Sequence, residues 1–192
     1  EEITRSERIE RSVTDIILKS TTSDDDRVWS KTFELKHSAS VAKIGRMLAQ
    51  QRGLNEDIAV VSCALHDIYV FETGRGDSHA HQGAPIAEKL LRDTGEFSDQ
   101  EIQQIVAAVK NHSDKHIVTE EPYVELVKDA DVFDCSLFEG GHDAYIYEKS
   151  TEICQHYFAR VRRVRQELNL PEEEQWSVYE MVGAEAREYM KT

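Results

Sequence analysis

The sequence predicts an all-α protein that folds as one domain over residues 1–192. Three observations support this prediction. The 192 residues include only 3 prolines and 9 glycines, apolar residues recur mostly at spacings of three and four, and the length is that of one typical domain. No internal repeat and no clear linker divides the chain.

Each predicted helix combines an apolar stripe of helical spacing with a residue that caps or ends a helix. Gly53 ends the second helix, Ser98 and Glu101 form a capping box at the start of the fifth, and Pro171 opens the last one, with Trp176, Tyr179, Val182 and Ala186 inward. The seven helices before it are expected at about residues 5–20, 30–52, 55–66, 80–93, 98–112, 121–135 and 144–169. Glycine-bearing loops are expected at residues 71–78 and 140–141.

The composition is strongly acidic, with 23 Lys and Arg residues against 37 Asp and Glu residues and a formal net charge of −14. This charge disfavours a nucleic-acid polymer or a membrane surface as a partner. It permits a small phosphorylated substrate, because a metal ion and a few local cations outweigh a distant, screened field. The basic cluster of Arg160, Arg162, Arg163 and Arg165 is interpreted as the solvated face of a helix.

Two features indicate a cytoplasmic protein. No apolar run approaches the ~18 residues of a membrane-spanning helix, and the first residues lack the pattern of a signal peptide. The three cysteines, Cys63, Cys135 and Cys154, lie in apolar contexts and are interpreted as reduced core residues.

The dipeptide His-Asp occurs twice, in different contexts. His66-Asp67 ends an apolar helix, so both side chains are expected at the edge of a buried core. His142-Asp143 follows two glycines in a predicted loop, with no apolar helix before it. The first pair is therefore the candidate site.

Further histidine and aspartate residues complete a pattern typical of a metal site. His37 shares the apolar stripe of the second predicted helix, and either Asp129 or Asp131 lies on the inner face of the sixth. With His66-Asp67 they supply two imidazoles and two carboxylates from three helices. This set suits Mn²⁺, Fe²⁺, Co²⁺, Ni²⁺ or Mg²⁺ and leaves positions open for water and substrate. Zinc is less favoured because no cysteine belongs to the pattern.

The sequence resembles the HD superfamily of metal-dependent phosphohydrolases. The matching segments occur in the family's order within about residues 30–135, at residues 35–42, 64–68, 79–84, 109–112 and 128–131. The resemblance implies a helical HD-domain fold with the metal site in the centre of the bundle, a metal held by His37, His66, Asp67 and Asp131, and phosphoester hydrolysis. Asp131 matches the family's Ala-Asp pattern, and Asp129 stays the alternative. The flanking helices, 1–29 and 136–192, lie outside the resemblance and are expected to carry little functional information.

Two more histidines extend the candidate site. Family members with histidines at the positions of His79 and His112 bind a second metal or contact the substrate phosphate, and a purely structural role is the alternative. Lys110 and Lys115 bracket His112 and are candidate phosphate ligands. His81 and His116 fall off the matched positions. We therefore expect one tightly bound divalent metal and a second, weaker position.

These residues predict a hydrolase. A divalent metal makes hydroxide available near neutral pH, and Asp67, next to His66, would both bind the metal and position or deprotonate the water. The expected substrate is a small phosphomonoester or phosphodiester, a nucleotide or a related metabolite. Two alternatives remain open: a di-iron oxygenase, because the chain holds that whole ligand set, and a non-catalytic nucleotide-binding sensor. The oligomeric state is not predicted.

Overall fold

The computed structural model describes residues 3–177, and this part of the chain is helical without any strand. It contains ten α-helices and one short 3₁₀ helix, Asp24–Asp26. The all-α prediction is thus confirmed. The α-helices are α1 (Arg5–Lys19), α2 (Lys31–Arg52), α3 (Glu56–Leu65), α4 (Ile68–Thr73), α5 (His79–Thr94), α6 (Asp99–Asn111), α7 (Pro122–Ser136), α8 (Gly141–Glu148), α9 (Thr151–Glu167) and α10 (Glu174–Ser177).

Local sequence accounts for most helix ends. The side chains of Ser30 and Asn55 accept hydrogen bonds from first-turn N–H groups of α2 and α3, which satisfies donors that have no partner inside a helix. Ser98 and Glu101 form the predicted capping box of α6. Gly53 ends α2 in the left-handed conformation that glycine adopts without steric cost.

Two predicted loops are partly helical. The predicted loop 71–78 begins inside the short helix α4, and α8 begins at Gly141 itself. A Cβ atom at Gly141 would lie 2.2 Å from the carbonyl oxygen of Cys135, so glycine allows α8 to start directly against the end of α7. The predicted single helix 144–169 is two helices, because Ser150 interrupts it and caps α9.

The last predicted helix lies mostly outside the described residues. Within them, α10 begins at Glu174 rather than at Pro171, and Trp176 is buried as expected. The predicted inward positions Tyr179, Val182 and Ala186 lie beyond residue 177.

Helix α2 occupies the centre of the bundle, with α3 and α7 packed against it. At the α2–α3 contact a Cβ atom on Gly45 would lie 2.4 Å from the Sγ atom of Cys63, so the absence of a side chain lets the two helices approach closely. Helices α5 and α6 pair with each other, and α6 also contacts α3 and α7. This packing brings the N-terminal third of α2, the end of α3 and the C-terminal half of α7 to one point.

The interpretation of the basic cluster as a solvated face is wrong for part of it. Arg160 is buried, and its guanidinium donates to Asp129 Oδ1 at 2.8 Å. Arg52 and Arg163 bind the same buried carboxylate. Arg165 is also buried and pairs with Glu173. Arg160 and Arg163 thus compensate the buried carboxylate of Asp129 between α7 and α9, although Arg163 itself stays exposed to solvent.

None of the helices in the described range is long and apolar enough to cross a membrane. The cysteines Cys63, Cys135 and Cys154 form no disulfide. Cys63 and Cys154 are buried as expected, whereas Cys135 is only half-buried and is not a core residue.

Candidate metal centre

Four buried side chains converge where α2, α3, α4 and α7 meet. His37 projects from α2 and Asp131 from α7, while His66 and Asp67 occupy the junction between α3 and α4. The Nε2 atom of His37 lies 3.1 Å from His66 Nε2 and 3.4 Å from Asp131 Oδ1. His66 Nε2 lies 3.4 Å from Asp67 Oδ2, and the pairs His37–Asp67 and His66–Asp131 are each 4.0 Å apart. We call these four residues the first cluster.

These distances are those expected of ligands that share a cation. Donor atoms bound about 2.0–2.3 Å from one ion lie about 3 Å apart when adjacent and about 4 Å apart when opposite. Sequence reasoning predicted all four members of the first cluster, and the structure brings their ligand atoms together.

The hydrogen bonds of the two imidazoles orient them for metal binding. His66 Nδ1 donates to the carbonyl oxygen of Cys63 at 2.7 Å, so Nε2 of the neutral ring carries a lone pair. His37 Nδ1 lies 2.6 Å from Asp134 Oδ2, the histidine–carboxylate contact typical of metal ligands. Burial opposes a charge on His37, but hydrogen bonds to Asp131 and Asp134 outweigh it and raise the pKa of His37 to about 10. The cluster therefore strongly favours positive charge between these side chains.

The carboxylates and a third imidazole are in the protonation states that metal binding needs. Burial opposes the ionisation of Asp67 and Asp131, but His66 and Lys115, respectively, hold the pKa of each well below its usual range. Burial lowers the pKa of His112, so this ring is a neutral ligand at pH 7.

Asp67 also belongs to a second cluster, with His79 and His112. Its Oδ1 atom lies 3.3 Å from His79 Nε2 and 3.2 Å from His112 Nε2, and these nitrogens are 3.1 Å apart. The Nδ1 atoms of the two rings donate to the carbonyl oxygens of Gly76 and Val109, which leaves their Nε2 lone pairs directed at the carboxylate.

The surroundings of the Oδ1 atom of Asp67 test whether the two clusters fit a metal ion. It is buried and has no hydrogen-bond partner among the described residues, although two imidazole nitrogens lie close to it. Such an atom is costly to bury unless a cation satisfies it. The two oxygens of Asp67 face different clusters, so this carboxylate is placed to bridge two ions.

The turn before α5 places His79 in the second cluster. Ser78 has φ 50°, in the left-handed region that non-glycine residues seldom adopt. Gly74 has φ 75°, and a Cβ atom there would lie 2.8 Å from Arg27 Cγ. Gly74 thus lets the end of α4 pack against Arg27, and the left-handed residue Ser78 then turns the chain so that α5 begins at His79 in the site.

Both clusters open into one cavity of about 310 Å³. Lys115 lies beside them, with Nζ 2.6 Å from Asp131 Oδ2 and a side chain that is 8% exposed. Aromatic side chains form much of the remaining wall. They are Trp29, Phe33, Phe138, Tyr145 and Tyr157.

Some predicted candidates lie elsewhere. Lys110 is exposed on α6 and is not among the cavity-lining residues, unlike Lys115. Asp129 points away from the clusters into the arginines described above, because residues two apart on a helix lie on nearly opposite faces. His142 stacks on Phe158 with a 4.9 Å centroid distance, and Asp143 is exposed.

Sequence reasoning missed Asp134 and the aromatic wall. Asp134 follows Asp131 by three residues, the spacing of one helical face, so the pattern contained a usable signal. Trp29 and Phe138 are more than a hundred residues apart in the chain, and no local pattern relates them.

Comparisons with known proteins agree with this site. A family model described as HD domain matches residues 35–135. Ribonuclease Y from Rhodopirellula baltica is 38% identical over 104 residues, which cover 53% of this chain and 18% of that protein. The chain therefore corresponds to less than a fifth of that relative's length. No solved structure matches.

Proposed function

The chain belongs to the HD domain family, and we propose that it is a metal-dependent phosphohydrolase that cleaves a small phosphomonoester or phosphodiester. HD domains bind divalent metals and are typically hydrolases. The observation that carries the proposal is the position of Asp67, which is shared by two clusters of imidazole and carboxylate groups that line one cavity.

The first cluster would hold a divalent ion through His37 Nε2, His66 Nε2, Asp67 Oδ2 and Asp131 Oδ1. Its two carboxylates balance the charge of one such ion. The second cluster would hold another ion through Asp67 Oδ1, His79 and His112. It adds no further carboxylate, so we expect weaker binding there. Bound ions of this kind lower the pKa of water and polarise phosphoryl oxygens.

The protein's own groups supply position and charge. Lys115 presents an ammonium group to the cavity next to Asp131 and would bind a phosphoryl oxygen of the substrate. Asp67 lies between the clusters, where its carboxylate would orient the attacking water. Asp134 fixes the ring of His37, and His66 is fixed by its bond to the α3 backbone.

Cavity size and charge support a small substrate rather than a polymer. A volume of about 310 Å³ lies at the lower end of the range for small-molecule sites. The net charge of −14 opposes the binding of a polyanion. The name Ribonuclease Y describes a relative of which this chain covers 18%, so RNA is the competing substrate that the test must include.

The test uses purified protein loaded with Mn²⁺, Fe²⁺, Co²⁺, Ni²⁺ or Mg²⁺ in turn. We expect phosphate release from nucleotides or related esters, and more than about a 100-fold loss in Asp67→Asn together with loss of bound metal. Asp143→Asn, which changes the exposed aspartate of the other His-Asp pair, is the matched control and should keep full activity. Equal loss in the control, faster cleavage of RNA oligomers, or no phosphoester cleavage with any metal would contradict the proposal.

A di-iron oxygenase is the second candidate. The observation that favours it is the complete second cluster, since Asp67, His79 and His112 lie within ligand distance of one another. Iron-loaded protein that consumes oxygen in a substrate-dependent manner, without release of phosphate, would assign this reaction instead. A non-catalytic nucleotide sensor would bind nucleotide and release no product with any metal.

A further inference from the structure

Three aromatic residues form a continuous surface beside the first cluster. The ring of Phe33 stacks on the imidazole of His37, with centroids 5.3 Å apart and planes inclined by 18°. Trp29 and Phe138 lie 5.7 Å and 5.0 Å from Phe33. We call Trp29, Phe33 and Phe138 the aromatic shelf. Because it begins one ring away from His37, it faces the alcohol portion of any phosphoester whose phosphate lies at the clusters.

The aromatic side chains of the shelf suit a substrate that contains a planar ring. Among the described residues that line the cavity, Ala144 alone is aliphatic, and the large apolar side chains are all aromatic. A cavity for an acyl chain would be lined by leucine, isoleucine or valine. Aromatic faces instead stack on other flat rings, as they do on nucleobases.

The segment that carries Trp29 is held in place. The buried guanidinium of Arg27 pairs with Glu34 on α2 at 2.6 Å and donates to the carbonyl oxygens of Val70 and Phe71 on α4. The next residue, Val28, donates its backbone N–H to Gly74 at 2.9 Å. Trp29 is nevertheless 42% exposed. A large apolar ring that is both fixed and exposed is suited to binding, because little conformational entropy is lost when a ligand covers it.

All three shelf residues lie outside residues 35–135, the part that matches the HD family. Tyr145 and Tyr157, which also line the cavity, lie outside it as well. The flanking segments are expected from the sequence to carry little functional information, yet they contribute residues to this cavity. The matched core supplies the clusters and Lys115, whereas the flanks supply the aromatic residues of the wall.

We propose that the aromatic shelf is the subsite for a planar base in the substrate, so that the enzyme prefers nucleoside monophosphates to phosphoesters without a ring. This proposal rests on the proposed function. The base stacks on Trp29 and Phe138 while the phosphate lies at the clusters and Lys115. The segments that flank residues 35–135 then determine substrate specificity, and residues 35–135 supply the groups that carry out hydrolysis.

The test compares two substrates that share one ester bond, adenosine 5′-monophosphate and ribose 5-phosphate. We expect Trp29→Ala to raise the KM for the nucleotide about tenfold or more and to leave kcat/KM for ribose 5-phosphate unchanged. Trp29→Phe should keep most of the preference. Val28→Ala, at an exposed neighbouring position, is the control and should change neither substrate. Equal effects of Trp29→Ala on both substrates, or no preference in the wild type, would overturn the subsite.

A second readout separates this proposal from the proposed function. The chain has two tryptophans, Trp29 and the buried Trp176. Adenosine 5′-monophosphate should quench fluorescence saturably in the wild type and not in Trp29→Phe, while ribose 5-phosphate quenches neither. Saturable quenching without any hydrolysis would support the shelf and refute the hydrolase. Hydrolysis without quenching would refute the shelf and leave the hydrolase standing.

Discussion

Lys115→Met is predicted to change metal binding and phosphate binding in opposite directions. The Nζ atom of Lys115 lies 2.6 Å from Asp131 Oδ2, and both side chains are less than a tenth exposed. This ammonium group competes with a cation for the charge of Asp131, and it also offers the cavity a positive charge for phosphate. Methionine keeps much of the side-chain volume and removes only the charge.

The magnitude follows from the burial of this pair. Removing one partner of a buried ion pair destabilises a protein by about 3–5 kcal/mol, because a charge is left uncompensated. For a chain of this size that corresponds to a melting temperature lower by roughly 6–20 °C. A divalent ion in the first cluster compensates Asp131, so we expect added Mn²⁺ to restore most of this loss. The Kd for the first metal should fall at least about tenfold, because a repelling charge is gone.

The assays are thermal unfolding and calorimetric titration of Mn²⁺, followed by kinetics with a phosphoester. We expect a KM raised about tenfold or more, since a charge-assisted bond to phosphate contributes about 1.5–3 kcal/mol. Lys110→Met is the matched control, because Lys110 precedes His112 in the sequence, as Lys115 follows it, and its side chain is exposed. If Lys115→Met weakened metal binding, or if both lysine variants raised KM equally, the assigned role of Lys115 would be refuted.

Three further predictions concern the support of the site and the stability of the fold. Asp134→Asn removes the charge that orients His37, so metal affinity should fall about 10–100-fold with the helix content unchanged; an unchanged Kd would argue against this role. Removal of metal by a chelator should lower the melting temperature, and Mn²⁺ should restore it, since ligands that bind the folded state stabilise it; a chelator-insensitive melting curve would contradict the metal centre. The ion pair with Arg5 lowers the pKa of Glu101 to about 2. Its stabilisation is therefore present above about pH 4.5 and is lost as the pH falls towards 2. Glu101→Gln should cost about 1 kcal/mol at pH 7, after allowance for solvent screening, and little near pH 2; equal costs at both pH values would exclude this linkage.

The sequence predicted the members of the two clusters best where a histidine or aspartate followed an apolar pattern. His66 and Asp67 follow an unbroken buried segment, so their place at the edge of the core could be inferred from neighbours alone. His37 shares a stripe with buried residues of α2. The choice between Asp129 and Asp131 could not be made from such patterns, because both side chains are buried on α7. The structure distinguishes them, because three arginines, two of them from α9, bind Asp129 on the face of α7 that points away from the clusters.

The helix breaks at the site were harder to predict than its ligands. The short helix α4 lies where glycines suggested a loop. The bend after it depends on Gly74, which packs against Arg27, and on the left-handed conformation of Ser78. Such bends arise from tertiary contacts between segments far apart in sequence, which local propensity does not contain. The same reason explains why the break before α9 was missed although Ser150 was a recognisable cap.

The division between core and flanks has a consequence for how substrate preference can change in this fold. The ligand atoms of both clusters are positioned by contacts inside residues 35–135, such as those from His37 to Asp134 and from His66 to Cys63. Trp29 and Phe138 take no part in these hydrogen bonds, and each packs on Phe33, which stacks on His37. Substitutions at Trp29 or Phe138 can therefore alter which alcohol group is accepted while the ligands stay in place. Phe33 is different, because its ring packs on His37, a candidate metal ligand. A change there is expected to disturb binding of the metal and of the substrate together.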